Sequence, residues 1–215
     1  MDYLREHPDR VWELLEQHLR LVGYSTLIAI AIGVPVGVLV TRVRWLAPIV
    51  LNLTGILYTV PSLALFAILI PYTGLGLRTA TIALVMYSLL AIIRNTAEGI
   101  DGVPPATLDA ARGMGMTGTP RLVLVELPLA LPVILVGVRI ATVAVIGIAT
   151  IAATIGAGGL GRLIFDGMRT LDNDRIVAGA LVASALALIA DWGIARVGDL
   201  LRRDLRPTAG RRAGR

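Results

Sequence analysis

The chain has 215 residues, 56% of them hydrophobic and 16% charged, with a mean hydropathy of +0.78 and a net charge of +5. Soluble domains carry about 25% charged residues, and several stretches here reach the ~20 apolar residues that cross a ~30 Å hydrocarbon layer, which excludes a soluble domain with one anchor. There is no cysteine and every one of the 20 basic residues is arginine, so disulfides, thiol chemistry, Schiff-base chemistry and the lysine of a Walker A loop are all absent from this polypeptide.

Residues 1–20 are charged and mixed, with Leu4, Val11, Leu14, Leu15 and Leu19 at roughly helical spacing and Trp12 beside them. This pattern predicts an amphipathic helix lying in the membrane interface. Asp2, Glu6, Asp9, Glu13 and Glu16 are scattered through it, unlike a secretory signal peptide. His7 and His18 are too few to hold a metal. The first span is expected over Leu21–Val40, with Gly33, Pro35 and Gly37 marking a kink or close packing. The next apolar region, Trp45–Leu77, is too long for one straight helix and is punctuated by Pro48, Pro61 and Pro71. It reads as a span over about 47–69, kinked near Pro61 and followed by a turn. Its polar positions Asn52, Thr54, Tyr58, Thr59 and Ser62 either line a translocation path or serve as interhelical hydrogen-bonding groups. The third span is expected over Thr79–Ile93, with Arg78 and Arg94 snorkelling at its ends.

Residues 101–132 form a polar insert marked by proline and glycine. Pro104-Pro105 can open a helix, Ala106–Met114 are mostly good helix formers, and Gly113 and Gly115 weaken or end it. Thr119-Pro120 then reads as an N-cap and first helical residue of a second helix through Leu127. Two short helices meeting at a glycine bend make a compact knob. Its Ala110 and Ala111 face, with Met114 and Met116 adding adaptable apolar contact, suits a protein partner. A plain amphipathic loop on the headgroups is the competing reading of the same residues.

The fourth span is expected over about Leu129–Ile155, with Arg139 inside it. GAGGLG at 156–161 is followed by no lysine, so it reads as a flexible or closely packed gate turn rather than a phosphate loop. A polar loop holding Asp166, Arg169, Asp172, Asp174 and Arg175 leads to a fifth span over about Ile176–Val197, near whose end lies Asp191. Arg139 and Asp191 are ionisable at membrane depth, which points to function, to snorkelling or to a mutual pair. The tail from Arg202 is Arg-rich and is expected to be disordered beyond Pro207.

The expected fold is therefore all-α and polytopic with five transmembrane helices, so the termini lie on opposite sides. One set of connecting segments holds Arg42 and Arg44, then Arg94, Arg112 and Arg121, then seven arginines from Arg196 onward. This is the more basic set, so the positive-inside rule places it in the cytoplasm. The N-terminus is then outside, and the C-terminus and the insert are inside. The chain divides into an interfacial segment 1–20, a transmembrane domain 21–200 with a loop at 98–128, and a tail 201–215. The hydropathy rules out nucleic acid as the reason for the net charge. With no paired acids in the spans, no histidine cluster and no thiol, the chain is not an enzyme, and no cofactor is expected.

Asp109-Ala110-Ala111 is followed by Gly115, then Val125, then Leu127-Pro128. This spacing resembles the EAA loop of ABC-importer permeases, with Asp109 in place of Glu and Val125 in place of Ile. VPSLALF at 60–66, RNTAEGI at 94–100, ELPLALPVILVGVR at 126–139 and TIGAGGLG at 154–161 resemble the permeases for glycine betaine, carnitine, choline and related osmoprotectants. The resemblance implies a type I ABC importer of two permease subunits, two separate ATPase subunits and an external substrate-binding protein. It also implies that Asp109, Ala110, Ala111 and Gly115, with Leu127 and Pro128 completing the motif, form the coupling loop that seats on the ATPase. Of the possible path residues, Asn52, Tyr58, Thr59 and Ser62 are retained as candidates. The ten aromatic residues are scattered and form no cage for a quaternary ammonium, so selectivity is expected to reside in the binding protein. Two alternatives remain: a permease for methionine or another small nutrient, and a secondary transporter or channel.

Overall fold

The computed structural model describes residues 2–204, which are helical with short connections. The elements are α1 (Asp2–Glu6), α2 (Pro8–Arg42), α3 (Leu46–Thr59), α4 (Ser62–Thr73), α5 (Leu77–Asp101), α6 (Pro105–Gly113), α7 (Gly118–Arg121), a π turn (Leu122–Glu126), α8 (Leu127–Ile151), a 3-10 turn (Ala152–Ile155), α9 (Gly161–Thr170) and α10 (Asn173–Asp204). The stretch beyond Pro207 that the sequence marks as disordered lies outside the described residues.

Helix directions follow from which residues meet. A Cβ on Gly33 would touch Ile92 and one on Gly37 would touch Thr96, so α2 and α5 run parallel. Gly99 faces Ala130 while Gly137 faces Ala91 and Asn95, so α8 runs antiparallel to α5. Arg139 meets Asp191 and Leu135 meets Gly198, so α10 runs antiparallel to α8. Since α2 and α5 point the same way, the chain must cross back between them, and α3 with α4 makes that return. These two apolar helices are bent by 102° at the break between Thr59 and Ser62. Among the described residues the bundle thus has four unbroken apolar helices long enough to cross, with this bent pair as the fifth passage. Below, the proximal end is where α2 begins, and the distal end is where α2 finishes at Arg42.

α5 is the central strut. Half of its apolar window is buried, against 17% for α10. Leu84, Ile92 and Ile93 of α5 are among the fully buried large side chains. Small residues let its neighbours approach closely, as expected where packing rather than hydrophobicity holds membrane helices together. At Gly137 an added Cβ would sit 2.6 Å from the Ala91 carbonyl oxygen and 2.6 Å from Asn95 Cβ. Neither atom is the end of a flexible chain, so Gly137→Val is expected to cost about 1–3 kcal/mol of stability by overpacking. A fall in the melting temperature of the detergent-solubilised protein measures this, with Gly147→Val, where a Cβ meets nothing within 4 Å, as the control.

Four features differ from the sequence reading. There is no break at residues 20 and 21: α2 is one helix of 35 residues, ~52 Å at 1.5 Å per residue. It overreaches the ~30 Å hydrocarbon layer by several turns. Part of the apolar face of those turns packs inside the protein, with Leu14 and His18 fully buried and Leu14 clustered with Leu160, Leu163 and Ala183, while Trp12 and Leu19 stay exposed. The second span is broken rather than kinked. The segment read as a polar loop after GAGGLG holds helix α9, which is packed on α10 through Gly167 and Gly179. Finally, the fourth crossing begins at Gly118, with Thr117 rather than Thr119 as the N-cap, so the second short helix of the insert is the first part of that crossing. The GAGGLG turn itself is closely packed. Gly158 and Gly159 both have positive φ and press on Gln17 and His18, and the Gly159 amide donates to Gln17 Oε1 at 3.2 Å.

Candidate coupling site

The insert projects from the distal end between α5 and α8. Pro104 is the N-cap of α6 and Pro105 its first residue, as expected of a residue with fixed φ and no amide to leave unpaired. At the other end the chain closes in a Schellman arrangement. The Met116 amide donates to the Ala111 carbonyl at 3.1 Å, and the Gly115 amide donates to the Arg112 carbonyl at 2.9 Å. Gly115 has φ +80°, the left-handed position that follows a helix and favours glycine. The four-residue step from Ala111 to Gly115 is therefore the geometry of a helix stop, which reverses the chain toward α7.

The faces of α6 are distinct. Asp109, Ala110, Arg112, Gly113 and Met114 are exposed, and Met114 is 70% accessible. Ala111 is buried at 1%, so of the two alanines only Ala110 belongs to the outward face. Asp109 makes an exposed pair with Arg112 at 2.8 Å, three residues on. It is spent on its own helix, and such pairs contribute little. Leu127 and Pro128 lie at the start of α8, where Leu127 packs on the cluster around Ile100 and Ala130. Both are half-buried, so they lie behind the exposed face of the loop.

A group not singled out by the sequence reading sits directly behind this loop. Glu126, 2% exposed, accepts from Arg42 Nη2 at 2.5 Å and from Arg121 Nε at 2.9 Å. Its position depends on the π turn, in which the Leu127 amide donates to the Leu122 carbonyl. That widening lies just before Pro128, whose ring crowds the carbonyl four residues earlier. A buried glutamate is rare unless paired, but its partner Arg42 lies 84 residues away, so no local pattern signals the contact.

The candidate path residues fall in two places. Tyr58, Thr59 and Ser62 flank the α3–α4 break. There the Val60 carbonyl, left without a helical partner, accepts from the Tyr87 hydroxyl, and the Tyr58 and Tyr87 rings meet edge to face with centroids 6.1 Å apart. Asn52 lies nearer the distal end, in a cleft of about 490 Å³ between α2, α3 and α5 that also holds Thr41, Arg94, Glu98 and Asp101. Thr54 turns inward and donates to the Val50 carbonyl at 2.8 Å, so it is committed to its own helix. Arg139 and Asp191 form the mutual pair, with two hydrogen bonds between α8 and α10. Among the described residues no cluster of histidine and carboxylate ligands could hold a metal.

Comparison with known proteins places the chain in a family. The chain is 45% identical over 200 residues to an osmoprotectant import permease protein, OsmW, of Salmonella typhimurium, covering 91% of this chain and 93% of that one. It is 40% identical to the glycine betaine/carnitine/choline transport system permease protein OpuCB of Bacillus subtilis, covering 91% and 90%. The fold matches that of the inward-facing MetNI methionine ABC transporter with a TM-score of 0.81 at 24% identity, over 89% of this chain and 96% of that one. The family described as binding-protein-dependent transport system inner membrane component matches residues 29–203. The chain belongs to that family and is a multi-pass inner membrane component of a binding-protein-dependent transporter.

Proposed function

We propose that the chain is the permease subunit of an ABC importer that passes a small osmoprotectant (a glycine betaine, choline, carnitine or proline type solute) across the membrane. ATP hydrolysis is supplied by separate subunits. The observation that carries the mechanism is the outward face of α6, held at a fixed angle beyond the bundle by Pro104 at one end and the Gly115 helix stop at the other. Asp109, Ala110 and Met114 on that face seat on an ATPase subunit. The substrate class rests on relatives that are 40–45% identical over most of their length. The likeness to the methionine transporter, at 24% identity, bears on fold alone.

Orientation follows from charge. Arg42, Arg44, Arg94, Arg112 and Arg121 lie at or near the distal end, the end at which α10 finishes. The more basic end faces the cytoplasm, which puts α6 where ATP is and the proximal end toward an external binding protein. A second permease subunit, identical or related, covers part of the exposed apolar surface of α3 and α4, where Leu53, Ile56, Leu63 and Ile68 are each more than half exposed. Tyr58, Thr59 and Ser62 at the break line the path between the subunits, with Asn52 below them.

The test is retention of an ATPase subunit by the tagged chain in mild detergent, and crosslinking from Ala110→Cys in this cysteine-free chain. The expected result is a crosslink to that ATPase and ATP-driven uptake of labelled glycine betaine or choline. An Ala110→Cys chain that never traps a nucleotide hydrolase, or an α6 reached by impermeant reagents from outside the cell, overturns the reading.

A further inference from the structure

We infer that Glu126 is the positioning residue that locks the start of α8 to the end of α2, so that a push on α6 moves two crossings as one body. The inference rests on the coupling role proposed for α6 and assigns the element through which that role would reach the rest of the bundle.

Both carboxylate oxygens of Glu126 are engaged, one by each arginine. The two arginines come from different bodies. Arg121 closes α7, four residues after the Thr117 N-cap that directly follows the α6 turn. Arg42 is the last residue of α2, on the far side of the bundle in sequence. The carboxylate is 2% exposed, while Arg121 is 17% and Arg42 is 40% exposed, so the acid is the buried hinge pin and the cations reach it from the rim. α6 also touches the π turn itself. Contact therefore runs without a gap from α6 through the π turn to Glu126 and on to Arg42.

This link differs in kind from the rest of the α2–α8 packing. At the distal end the rest of this packing is aliphatic: Val34 and Val38 of α2, Leu122 of the π turn and Leu127 and Ile134 of α8 belong to one apolar cluster. Aliphatic contacts resist separation but allow sliding, whereas two charge-assisted hydrogen bonds on one carboxylate fix direction as well as distance. The π turn is where the distal part of this crossing departs from the α ladder, and such turns recur at functional sites. An interruption there would let α7 swivel independently of α8. Glu126 closes that freedom by tying Arg121, on one side of the wide turn, to Arg42 on the neighbouring helix.

The experiment uses the complete transporter (permease, ATPase and binding protein) reconstituted in vesicles. Glu126→Gln keeps the shape and removes the charge. Arg42→Gln alters the more exposed partner and is the milder variant should Glu126→Gln accumulate poorly. Both are expected to lower solute transported per ATP hydrolysed by about fivefold or more, the lower range of coupling between sites, with the ATPase still bound. Glu126→Asp should recover part of the ratio. Spin labels at Thr41→Cys and Thr119→Cys should hold one distance with and without trapped ATP when Glu126 is present, and shift on ATP in Glu126→Gln. An unchanged transport-to-ATP ratio in both variants, or lower abundance with the surviving protein fully coupled, overturns the inference. Failure of the coupling role itself would show differently, as a wild-type chain that binds no ATPase.

Discussion

Replacing Gly115 with valine is expected to reduce ATP-driven uptake by about tenfold or more while leaving the amount of protein in the membrane unchanged. The two halves of this expectation have separate causes. No heavy atom lies within 4 Å of a Cβ built on Gly115, so the substitution overpacks nothing and the bundle is indifferent to it. The backbone is not indifferent. At φ +80° a residue with a Cβ pays roughly 1–2 kcal/mol, a β-branched one more, and ~1.4 kcal/mol is a factor of ten in the population of a conformer. Relief comes by abandoning the helix stop, which releases the Met116 and Gly115 amides from the Ala111 and Arg112 carbonyls and re-aims the outward face of α6. A Gly115→Trp substitution adds bulk on the docking side to the same backbone strain. Gly113→Ala is the control: it too meets nothing within 4 Å, it is the last residue of α6, and it has no positive φ for a Cβ to strain. Uptake assays at matched membrane abundance check both, and normal uptake by Gly115→Val would remove the turn from the mechanism.

The same residues show why the coupling segment could be read from the chain and other parts of the bundle could not. A helix stop is local chemistry: proline before, glycine after, at a fixed step, so Pro104 and Gly115 announce α6 in the sequence. Ala110 and Ala111 are adjacent and chemically identical, and only the register of α6 against the bundle decides that Ala111 turns inward. The α3–α4 break was half legible. Pro61 marks an interruption, but whether it yields a kink or a 102° corner depends on Tyr87, 27 residues on in the chain, taking up the Val60 carbonyl. Helix α9 does carry a helical signal, a strongly amphipathic pattern over GRLIFDGMRT, but it is only ten residues long and broken by Arg162, Asp166 and Arg169, and its packing is completed by Ile176 beside Gly167 and by Gly179 beside Leu163. Likewise, the first turns of α2 have the pattern of an interfacial helix. An amphipathic face cannot say whether it will meet lipid headgroups or, as here, a glycine turn from elsewhere in the chain. Glu126 was the least legible, since a glutamate beside Leu127-Pro128 looks like any loop-end acid until α2 brings Arg42 to it.

Breaking the Arg139–Asp191 pair from one side is expected to be more damaging than removing it altogether. The two side chains meet with matched geometry, Nε to one carboxylate oxygen and Nη2 to the other, the latter at 2.7 Å. They join α8 to α10, the least buried of the four unbroken apolar helices. Near this depth a lone charge is costly and seeks a partner or an interface. Asp191→Leu leaves the guanidinium of Arg139 without its two-point partner, in a cleft lined by Pro132, Leu135, Val136, Ile194 and Ala195 with only Asp199 as a remaining carboxylate; Arg139→Leu leaves the Asp191 carboxylate without both of its hydrogen bonds. Each single variant is therefore expected to lower the abundance of folded protein several-fold, the usual consequence of a modest loss of stability in cells. The double variant, Arg139→Leu with Asp191→Leu, removes both charges together and should recover most of that abundance, because an apolar pair often replaces an ion pair at little cost. Membrane quantification of the four forms in a double-mutant cycle measures the coupling. Losses that simply add in the double variant would mean the two groups act separately. A double variant that regains normal abundance but not uptake would move the pair from holding α10 in place to a part in transport, since the ionic link is the only property that variant still lacks.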